Sequence, residues 1–257
     1  MLGFCPLASG SKGNSIYVGS GRTKILIDAG MSARQTKERL SQLGVDISEI
    51  SAIIITHEHT DHVLGLRILA GKMGIPVLAN SDTARAIASD LGGLVKFKIF
   101  TTGEPFEFED MEVHPFSVQH DAVDPVGLTV RTSGLKLGFC TDLGFATTLV
   151  ESHLRMCDYL YLEANHEPDL VYLSKRPPIY KQRVLGRSGH LSNEACGQLL
   201  RQVYHTGLKH VHLAHLSSEC NRPDLAVRIV RSLLDPEGAH VPVTVAPQAT
   251  IGHVVRF

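Results

Sequence analysis

A short apolar segment followed by a dense group of histidines and carboxylates constrains this chain more than any other feature of its sequence. Residues 51–56 read Ser-Ala-Ile-Ile-Ile-Thr, and residues 57–62 read His-Glu-His-Thr-Asp-His. A short run of apolar, β-branched residues predicts a buried central strand. A chain that leaves such a strand enters a loop at the sheet edge, where binding residues tend to gather. The segment therefore predicts a polar site at the end of a buried strand.

The polar part of this segment has the residue types and the spacing of a metal site. Residues two apart in an extended loop face the same way, so His57 and His59 can share one ion. Asp61 and His62 open the next predicted helix and can turn toward a second ion. Histidine is the commonest metal ligand, and the chain contains 14 histidines. The alternative is a polar loop that holds these histidines by chance, and three histidines with an aspartate in six residues argue against it.

Composition places the chain among ordinary globular proteins. It has 257 residues, of which 43% are hydrophobic and 20% are charged. The formal net charge is −1, so any nucleic-acid contact must come from a local basic patch. Five scattered cysteines without a Cys-x-x-Cys pair indicate reduced thiols in the cytosol. Neither a signal peptide nor a membrane-spanning segment is expected, so we predict a cytoplasmic protein without a membrane partner.

Hydrophobic patterning predicts mixed secondary structure within a single domain of residues 1–257. Strands are expected at 2–7, 15–18, 24–27, 51–56, 77–79, 96–100, 106–108, 112–119, 127–131, 136–141, 158–163, 210–214, 241–245 and 250–255. Helices are expected at 32–43, 61–72, 82–90, 192–204 and 223–234, with an irregular, proline-containing stretch between 164 and 189. Mixed elements in two successive halves favour a layered α/β (α+β) sandwich, with two sheets inside and helices outside.

The order His-x-His-x-Asp-His after an apolar strand resembles the signature of the metallo-β-lactamase superfamily. The resemblance covers nearly the whole chain and implies a four-layer αββα sandwich that binds two divalent metal ions. It implies that Asp28 steadies the metal loop without ligating. The implied ligands are His57, His59 and His120 for one ion, Asp61, His62 and His215 for the other, and Asp142 between them.

Two of these assignments have local alternatives. His210 and His212 lie close to His215 in sequence and compete for the last ligand position. His215 is preferred because it falls at the end of a predicted strand, whereas the other two share one strand face. Cys140, two residues before Asp142, is interpreted as a buried small hydrophobic residue.

The implied ligand set also indicates the chemistry. Two divalent ions carry four positive charges, of which Asp61 and Asp142 offset only two, so an anionic substrate is favoured. Ions about 3.5–4 Å apart lower the pKa of a shared water and stabilise the attacking and leaving oxygens. Zinc suits mixed imidazole and carboxylate ligands, and manganese or iron is an alternative. Because the ions and their ligands activate the attacking water, we predict that Asp61 is a catalytic residue as well as a ligand. An aspartate at the bridge, where many lactam-cleaving members have cysteine, disfavours antibiotic hydrolysis.

Features between residues 165 and 193 bear on the substrate. His190, in Gly-His-Leu-Ser-Asn, resembles the non-ligand histidine of phosphodiesterase and tRNA-processing members, which contacts phosphate and protonates the leaving oxygen. No acidic residue lies between Leu170 and Asn193, and this stretch is basic. The predicted substrate contacts are His190, Asn165, Lys181, Arg183 and Arg187. The alternatives are a solvated basic face, a helix-flanking surface histidine and, for Asn165, a strand-end turn with side-chain hydrogen bonds.

Four further segments, 8–15, 162–166, 181–186 and 215–221, resemble the bacterial YycJ/WalJ (VicX) exonuclease group. The resemblance implies exonuclease action on DNA, with a metal-bridging hydroxide attacking the phosphodiester. A thioester or lactone hydrolase of the glyoxalase II type is the nearest enzymatic alternative. An oxygen-reducing di-iron protein is disfavoured because that branch has glutamate where His59 stands. From another class, a non-catalytic nucleic-acid-binding protein with a degenerate site is the alternative. The sequence is compatible with a homodimer and does not set the oligomeric state.

Overall fold

The structure is a computed structural model that describes residues 1–257, with the side chain of Glu237 excepted. The strands are β1 Gly3–Ala8, β2 Ser15–Gly19, β3 Lys24–Ile27, β4 Ala52–Ile54, β5 Val77–Asn80, β6 Phe97–Phe100, β7 Phe106–Phe108, β8 Met111–Ser117, β9 Val126–Thr132, β10 Leu135–Cys140, β11 Tyr159–Glu163, β12 His210–Ala214 and β13 Val243–Val245. The α-helices are α1 Ala33–Gln42, α2 Thr60–Val63, α3 Leu66–Leu69, α4 Ser81–Leu91, α5 Thr148–Leu154, α6 Pro168–Leu173, α7 Pro178–Leu185, α8 Asn193–Val203 and α9 Pro223–Leu234.

The chain divides into two compact units. The first comprises Met1–Pro115, Ala122–Val126 and Ala246–Phe257. The second comprises Phe116–Asp121 and Gly127–Val245. Both units are discontinuous in sequence. The prediction of a single domain over residues 1–257 stays a prediction.

The first unit is built on a six-stranded sheet of order β1-β2-β3-β4-β5-β6. The strands β1, β2 and β3 pair antiparallel, and β3 to β6 pair in parallel. The apolar run of the sequence forms β4, which is buried along its whole length between β3 and β5. The prediction of a buried central strand before the histidine-rich loop is therefore confirmed.

The second sheet has the order β13-β12-β11-β10-β9-β8-β7. Within it, β10, β11, β12 and β13 run parallel. Their carboxyl ends consequently meet at one edge, which is where ligand sites form in parallel sheets. The residues at or just after these ends are Asp142, Glu163 and His215. The sequence placed polar residues at strand ends, and the parallel register brings them together.

The mixed α/β class with two sheets and flanking helices is confirmed. The helix predicted at 61–72 is confirmed in part, since the segment is helical but neither continuous nor as long as predicted. The structure divides it into α2 and α3, with Gly65 between them. The carbonyl of Asp61, which a continuous helix would bond to Gly65, instead accepts the Asn14 N–H at 2.8 Å. The Gly65 N–H donates to the Ala29 carbonyl, also at 2.8 Å. Tertiary hydrogen bonds therefore replace a helical one here.

The stretch predicted to be irregular contains two helices, α6 and α7. Each begins with a proline, Pro168 and Pro178, at its first helical position. Proline is favourable there because the first turn has no hydrogen-bond partner for that N–H. We also predicted no helix at α5, which Thr147 caps by accepting the Val150 N–H at 3.2 Å.

The strand expected at 250–255 is wrong, since only Val255 forms a single bridge with Phe4. All five cysteines are free and buried, which confirms Cys140 as a buried residue. Among the residues that the structure describes, no helix has the length and apolar character needed to cross a membrane.

Candidate metal centre

In the first unit, the loop after β4 gathers three imidazole rings. The ring centroids of His57 and His59 are 4.7 Å apart, and those of His57 and His62 are 4.0 Å apart. His57 and His62 are buried, whereas His59 is partly exposed at the start of α2. The Asp61 Oδ2 atom lies 3.6 Å from His62 Nε2. The loop therefore brings together the four donors that the sequence identified in it.

Asp28, which follows β3, holds this loop in place. Its Oδ1 atom accepts the Thr56 N–H at 2.9 Å, and its Oδ2 atom lies 2.8 Å from His62 Nδ1. The Asp28 backbone adopts φ 61°, in the left-handed region that costs a non-glycine residue free energy. The hydrogen bond to Nδ1 leaves the His62 Nε2 atom as the possible ligand. This position suits the predicted steadying role of Asp28, which stays a prediction.

Asn14 is a residue that sequence reasoning did not place in the site. Its Nδ2 atom lies 3.0 Å from His62 Nε2 and 3.2 Å from Asp61 Oδ2. Its Oδ1 atom accepts the Gly10 N–H at 2.7 Å, which fixes the orientation of the amide. Asn14 comes from the turn between β1 and β2, far from the histidine-rich loop in sequence, so no local pattern pointed to it.

In the second unit, Glu163 organises the edge formed by the parallel strands. Its side chain has no solvent exposure. One carboxylate oxygen, Oε1, lies 2.8 Å from His190 Nδ1 and 3.1 Å from His215 Nδ1. The other oxygen accepts the backbone N–H groups of Leu143 at 2.7 Å and Leu191 at 3.1 Å. Both oxygens of Glu163 are thus occupied by hydrogen-bond donors, and it orients two histidines at once.

The ionisation of Glu163 follows from these contacts. Burial alone would raise the pKa of this carboxyl, but the charge and hydrogen bond of His190 and the hydrogen bond of His215 lower it to about 2. An ionised Glu163 requires N–H donors at the Nδ1 atoms of both histidines. The Nε2 atoms of His190 and His215 then remain for a ligand or a proton.

Asp142 occupies the centre of the second-unit cluster. Its Oδ1 atom is 3.6 Å from His215 Nε2 and 3.8 Å from His120 Nε2. Both distances are longer than a hydrogen bond. Two ligand atoms bound to one tetrahedral ion at about 2.0–2.2 Å lie roughly 3.3–3.6 Å from each other, and the observed distances are close to that separation. Asp142 and His215 also have positive φ angles, 55° and 54°. The donor set therefore fits a divalent metal ion.

His120 shares the features of a prepared ligand. Its Nδ1 atom lies 3.1 Å from the Gly189 carbonyl oxygen, which accepts the ring N–H. Burial lowers the pKa of His120, although the nearby Asp142 charge opposes this effect. A neutral ring with its Nδ1 proton committed presents the Nε2 lone pair to an ion.

His210 and His212, the alternatives to His215 as a ligand, lie on β12 and contact different groups. His210 Nε2 lies 2.8 Å from Thr244 Oγ1, and the rings of His210 and His212 are 4.6 Å apart. His215 instead lies beside Asp142 and Glu163. Asn165 donates its amide N–H to the His215 carbonyl at 2.7 Å, so it positions that loop. The substrate contact predicted at Asn165 stays a prediction.

The predicted basic contacts lie on α7 and the loop that follows it. Lys181 Nζ donates to the Tyr172 carbonyl at 2.6 Å. Arg183 pairs with Asp121 at 2.5 Å, and the Arg187 guanidinium lies 4.4 Å from the centre of the Phe145 ring. The three cations belong to the segment that leads to His190, whose side chain is 17% exposed. Their substrate contacts stay predictions.

Acid sensitivity should arise at His166, which is only 2% exposed and lies near Glu163 and His190. Burial lowers the pKa of His166 from 6.5 to about 4. Between these values the unfolded chain takes up a proton that the folded chain does not, so stability falls as the pH falls from 6.5 to 4. We expect a loss of about 2–3 kcal/mol, measured by urea unfolding across this range. His166→Gln should flatten this dependence, while His240→Gln, at an exposed site, should not; equal slopes in both variants would contradict the assignment.

Comparison with known proteins identifies the family. A model described as "Beta-lactamase superfamily domain" matches residues 23–215. The exodeoxyribonuclease YycJ of Bacillus anthracis is 36% identical over 240 residues, which cover 92% of this chain and 90% of YycJ. The exodeoxyribonuclease WalJ of Streptococcus pneumoniae is 34% identical over 224 residues, covering 86% of this chain and 83% of WalJ. The crystal structure of the metallo-β-lactamase-fold protein YhfI from Bacillus subtilis is similar with a TM-score of 0.74 and 14% identity, covering 97% of this chain and 98% of YhfI.

The likeness to YhfI concerns the fold, whereas the two sequence relatives extend over most of both chains. The predicted resemblance to the YycJ/WalJ group and the predicted class of metal-dependent hydrolase are confirmed. The chain belongs to the metallo-β-lactamase superfamily.

Proposed function

We propose that the chain is a metal-dependent phosphodiesterase that removes nucleotides from an end of DNA. The observation that carries the proposal is His190, partly exposed, hydrogen-bonded to the buried Glu163 and 3.7 Å from Asp142 Oδ1 through its Nδ1 atom. A histidine held in this way can act as a general acid beside a metal-binding carboxylate. The names of the two sequence relatives, both exodeoxyribonucleases, support DNA as the substrate.

The proposed ligands are the donors of both clusters. They are His57, His59, Asp61 and His62 in the first unit, with His120, Asp142 and His215 in the second. Two divalent ions, zinc or else manganese or iron, would activate water and offset the charge that develops on the phosphate. Glu163 is left out of this set because four N–H donors already occupy its oxygens.

The role proposed for His190 follows from its hydrogen bond. With Nδ1–H donated to Glu163 at 2.8 Å, the Nε2 atom carries the proton that the departing sugar oxygen requires. The buried negative charge of Glu163 stabilises the doubly protonated ring before that transfer. After the P–O bond breaks, the proton resides on the leaving oxygen and His190 is neutral.

The basic segment that precedes His190 is consistent with this role. Lys181 and Arg187 add positive charge to the segment that leads to His190, where Arg183 is paired with Asp121, and this charge favours a polyanionic strand over a neutral ester. The five free, buried thiols support the proposed cytoplasmic location.

Product analysis on DNA and RNA labelled at either the 5′ or the 3′ end tests the proposed function directly. We expect label to appear in mononucleotides from one DNA end first, with RNA cleaved more slowly. A glutathione thioester serves as the competing substrate. Faster cleavage of the thioester, or binding of DNA without turnover in zinc, manganese or iron, would contradict the proposal.

His190→Ala should lower DNA hydrolysis by about 10²- to 10⁴-fold, the contribution of a general acid. Metal content should remain at the wild-type value because the proposed ligands are intact. Elemental analysis and initial rates on labelled DNA measure the two quantities. His205→Ala provides a control outside both clusters, since this histidine lies near the Cys157 carbonyl. An unchanged rate in His190→Ala would remove this residue from the mechanism.

A further inference from the structure

The helices α6 and α7 expose an unusual amount of apolar surface. Tyr172, Leu173 and Ile179 are 65%, 80% and 72% exposed, and we call these three residues the stacking surface. A cavity of about 390 Å³ opens beside Tyr172 and is bordered by Pro178, Lys181, Gln182, Leu185 and Gly186. Of the three, Tyr172 lines this cavity, and an exposed apolar patch beside a cavity indicates a binding surface more often than scattered single residues do.

The same helices carry a concentration of positive charge. Five cations lie between residues 175 and 187, in a chain whose formal net charge is −1. Arg176 pairs with Glu219, and Arg183 pairs with Asp121. Lys175, Lys181 and Arg187 have no carboxylate partner among the side chains that the structure describes. The cations therefore exceed their local carboxylates by three, and an anionic partner would complement them.

The stacking surface is connected to His190 through α7. The His190 N–H donates to the Val184 carbonyl at 3.1 Å, and the Gly189 N–H donates to the Gly186 carbonyl at 2.9 Å. These bonds fold the chain after α7 back against its last turn. An eight-residue helix is about 12 Å long, so a strand lying along α7 would reach His190 without leaving the second unit.

We propose that the stacking surface binds an unpaired stretch of the nucleic-acid strand, with bases against Tyr172 and phosphates near Lys175, Lys181 and Arg187. This inference rests on the proposed function and narrows its substrate to DNA that is single-stranded beside the scissile bond. Base faces are accessible for stacking only where the strand is unpaired, and each base stacked on an aromatic ring strengthens binding. A second copy of the chain fits less well, because a two-fold contact would oppose two identical cationic surfaces.

Equilibrium binding of a fluorescent single-stranded oligonucleotide to the chelated full-length protein tests this proposal without requiring turnover. Tyr172→Ala should weaken binding by about 5- to 30-fold, while Tyr172→Phe should retain it. Lys175→Ala should reduce the slope of log affinity against log salt by about 0.7, because one phosphate contact is lost. Blunt duplex DNA should bind more weakly than the single strand and should respond less to Tyr172→Ala.

The controls are Ile99→Ala, which removes an apolar side chain 58% exposed in the first unit, and Lys72→Ala, which removes an exposed cation there. Neither should change single-strand binding. Equal binding by Tyr172→Ala and wild type would overturn the proposal, and a change in oligomeric state by light scattering with unchanged DNA binding would assign the surface to a second copy instead. Tyr172-dependent binding by a wild-type enzyme that hydrolyses no DNA would support the surface and overturn the proposed function.

Discussion

Removal of divalent metal with a chelator should lower DNA hydrolysis by at least about a thousandfold, since the charge stabilisation that metal ions supply is worth several kcal/mol. Asp142 Oδ1 lies 3.6 Å from His215 Nε2 and 3.8 Å from His120 Nε2. Without cations, these buried carboxylate and imidazole groups do not supply the positive charge that stabilises a phosphodiester under attack. Adding back zinc, manganese or iron in turn should restore activity to different extents and identify the preferred ion.

Metal content and thermal unfolding give readouts of the same experiment that do not depend on turnover. Two ions per chain are expected, and the melting temperature should rise on metal addition because the folded state alone presents the ligands. Asp142→Asn should reduce both the ion count and this rise, whereas Asp82→Asn, on an exposed carboxylate paired with Arg85, should reduce neither. Persistent hydrolysis by metal-free protein would refute metal dependence, and a single bound ion would refute the dinuclear proposal.

The parts of the site that the sequence predicted are those with a local pattern. The buried strand β4 and the histidines after it are adjacent in the chain, so apolar patterning and ligand spacing identified them together. Asp28, Asp142 and His215 were assigned through family resemblance and lie at strand ends, where parallel pairing brings distant residues together. Their positive φ angles depend on tertiary contacts, because most Asp and His residues have negative φ and residue type alone does not identify the exceptions.

The residues that sequence reasoning missed depend on contacts between distant segments. Glu163 ends an otherwise apolar strand, and a single carboxylate there has no pattern until the loops carrying Leu143, His190 and His215 pack around it. Asn14 reaches His62, on α2, from the turn between β1 and β2. The helices α6 and α7 were missed because their prolines were interpreted as breakers, although proline at a first helical position favours a helix.

Glu163→Gln should lower DNA hydrolysis by about 10- to 100-fold, the range found when a carboxylate that orients metal-ligating histidines is removed. All four groups around Glu163 are donors: two imidazole N–H groups at one oxygen and two backbone N–H groups at the other. A glutamine amide offers an acceptor at one end only, so its NH₂ group must face two donors in either orientation. Buried donors left without acceptors should also lower the free energy of unfolding by about 2–4 kcal/mol.

Separate measurements distinguish positioning of the two histidines from general loss of stability. At a temperature where Glu163→Gln remains folded, kcat should fall and the alkaline limb of the pH–rate profile should move to lower pH, because a general acid that has lost its negative partner gives up its proton more readily. Single-strand affinity of the chelated protein should stay near wild type, since the stacking surface is unchanged. Glu167→Gln, which alters a partly exposed carboxylate four residues along the chain, is the matched control and should retain wild-type kcat. A Glu163→Gln enzyme with lowered stability but an unshifted pH profile and normal kcat would show that Glu163 supports the fold alone.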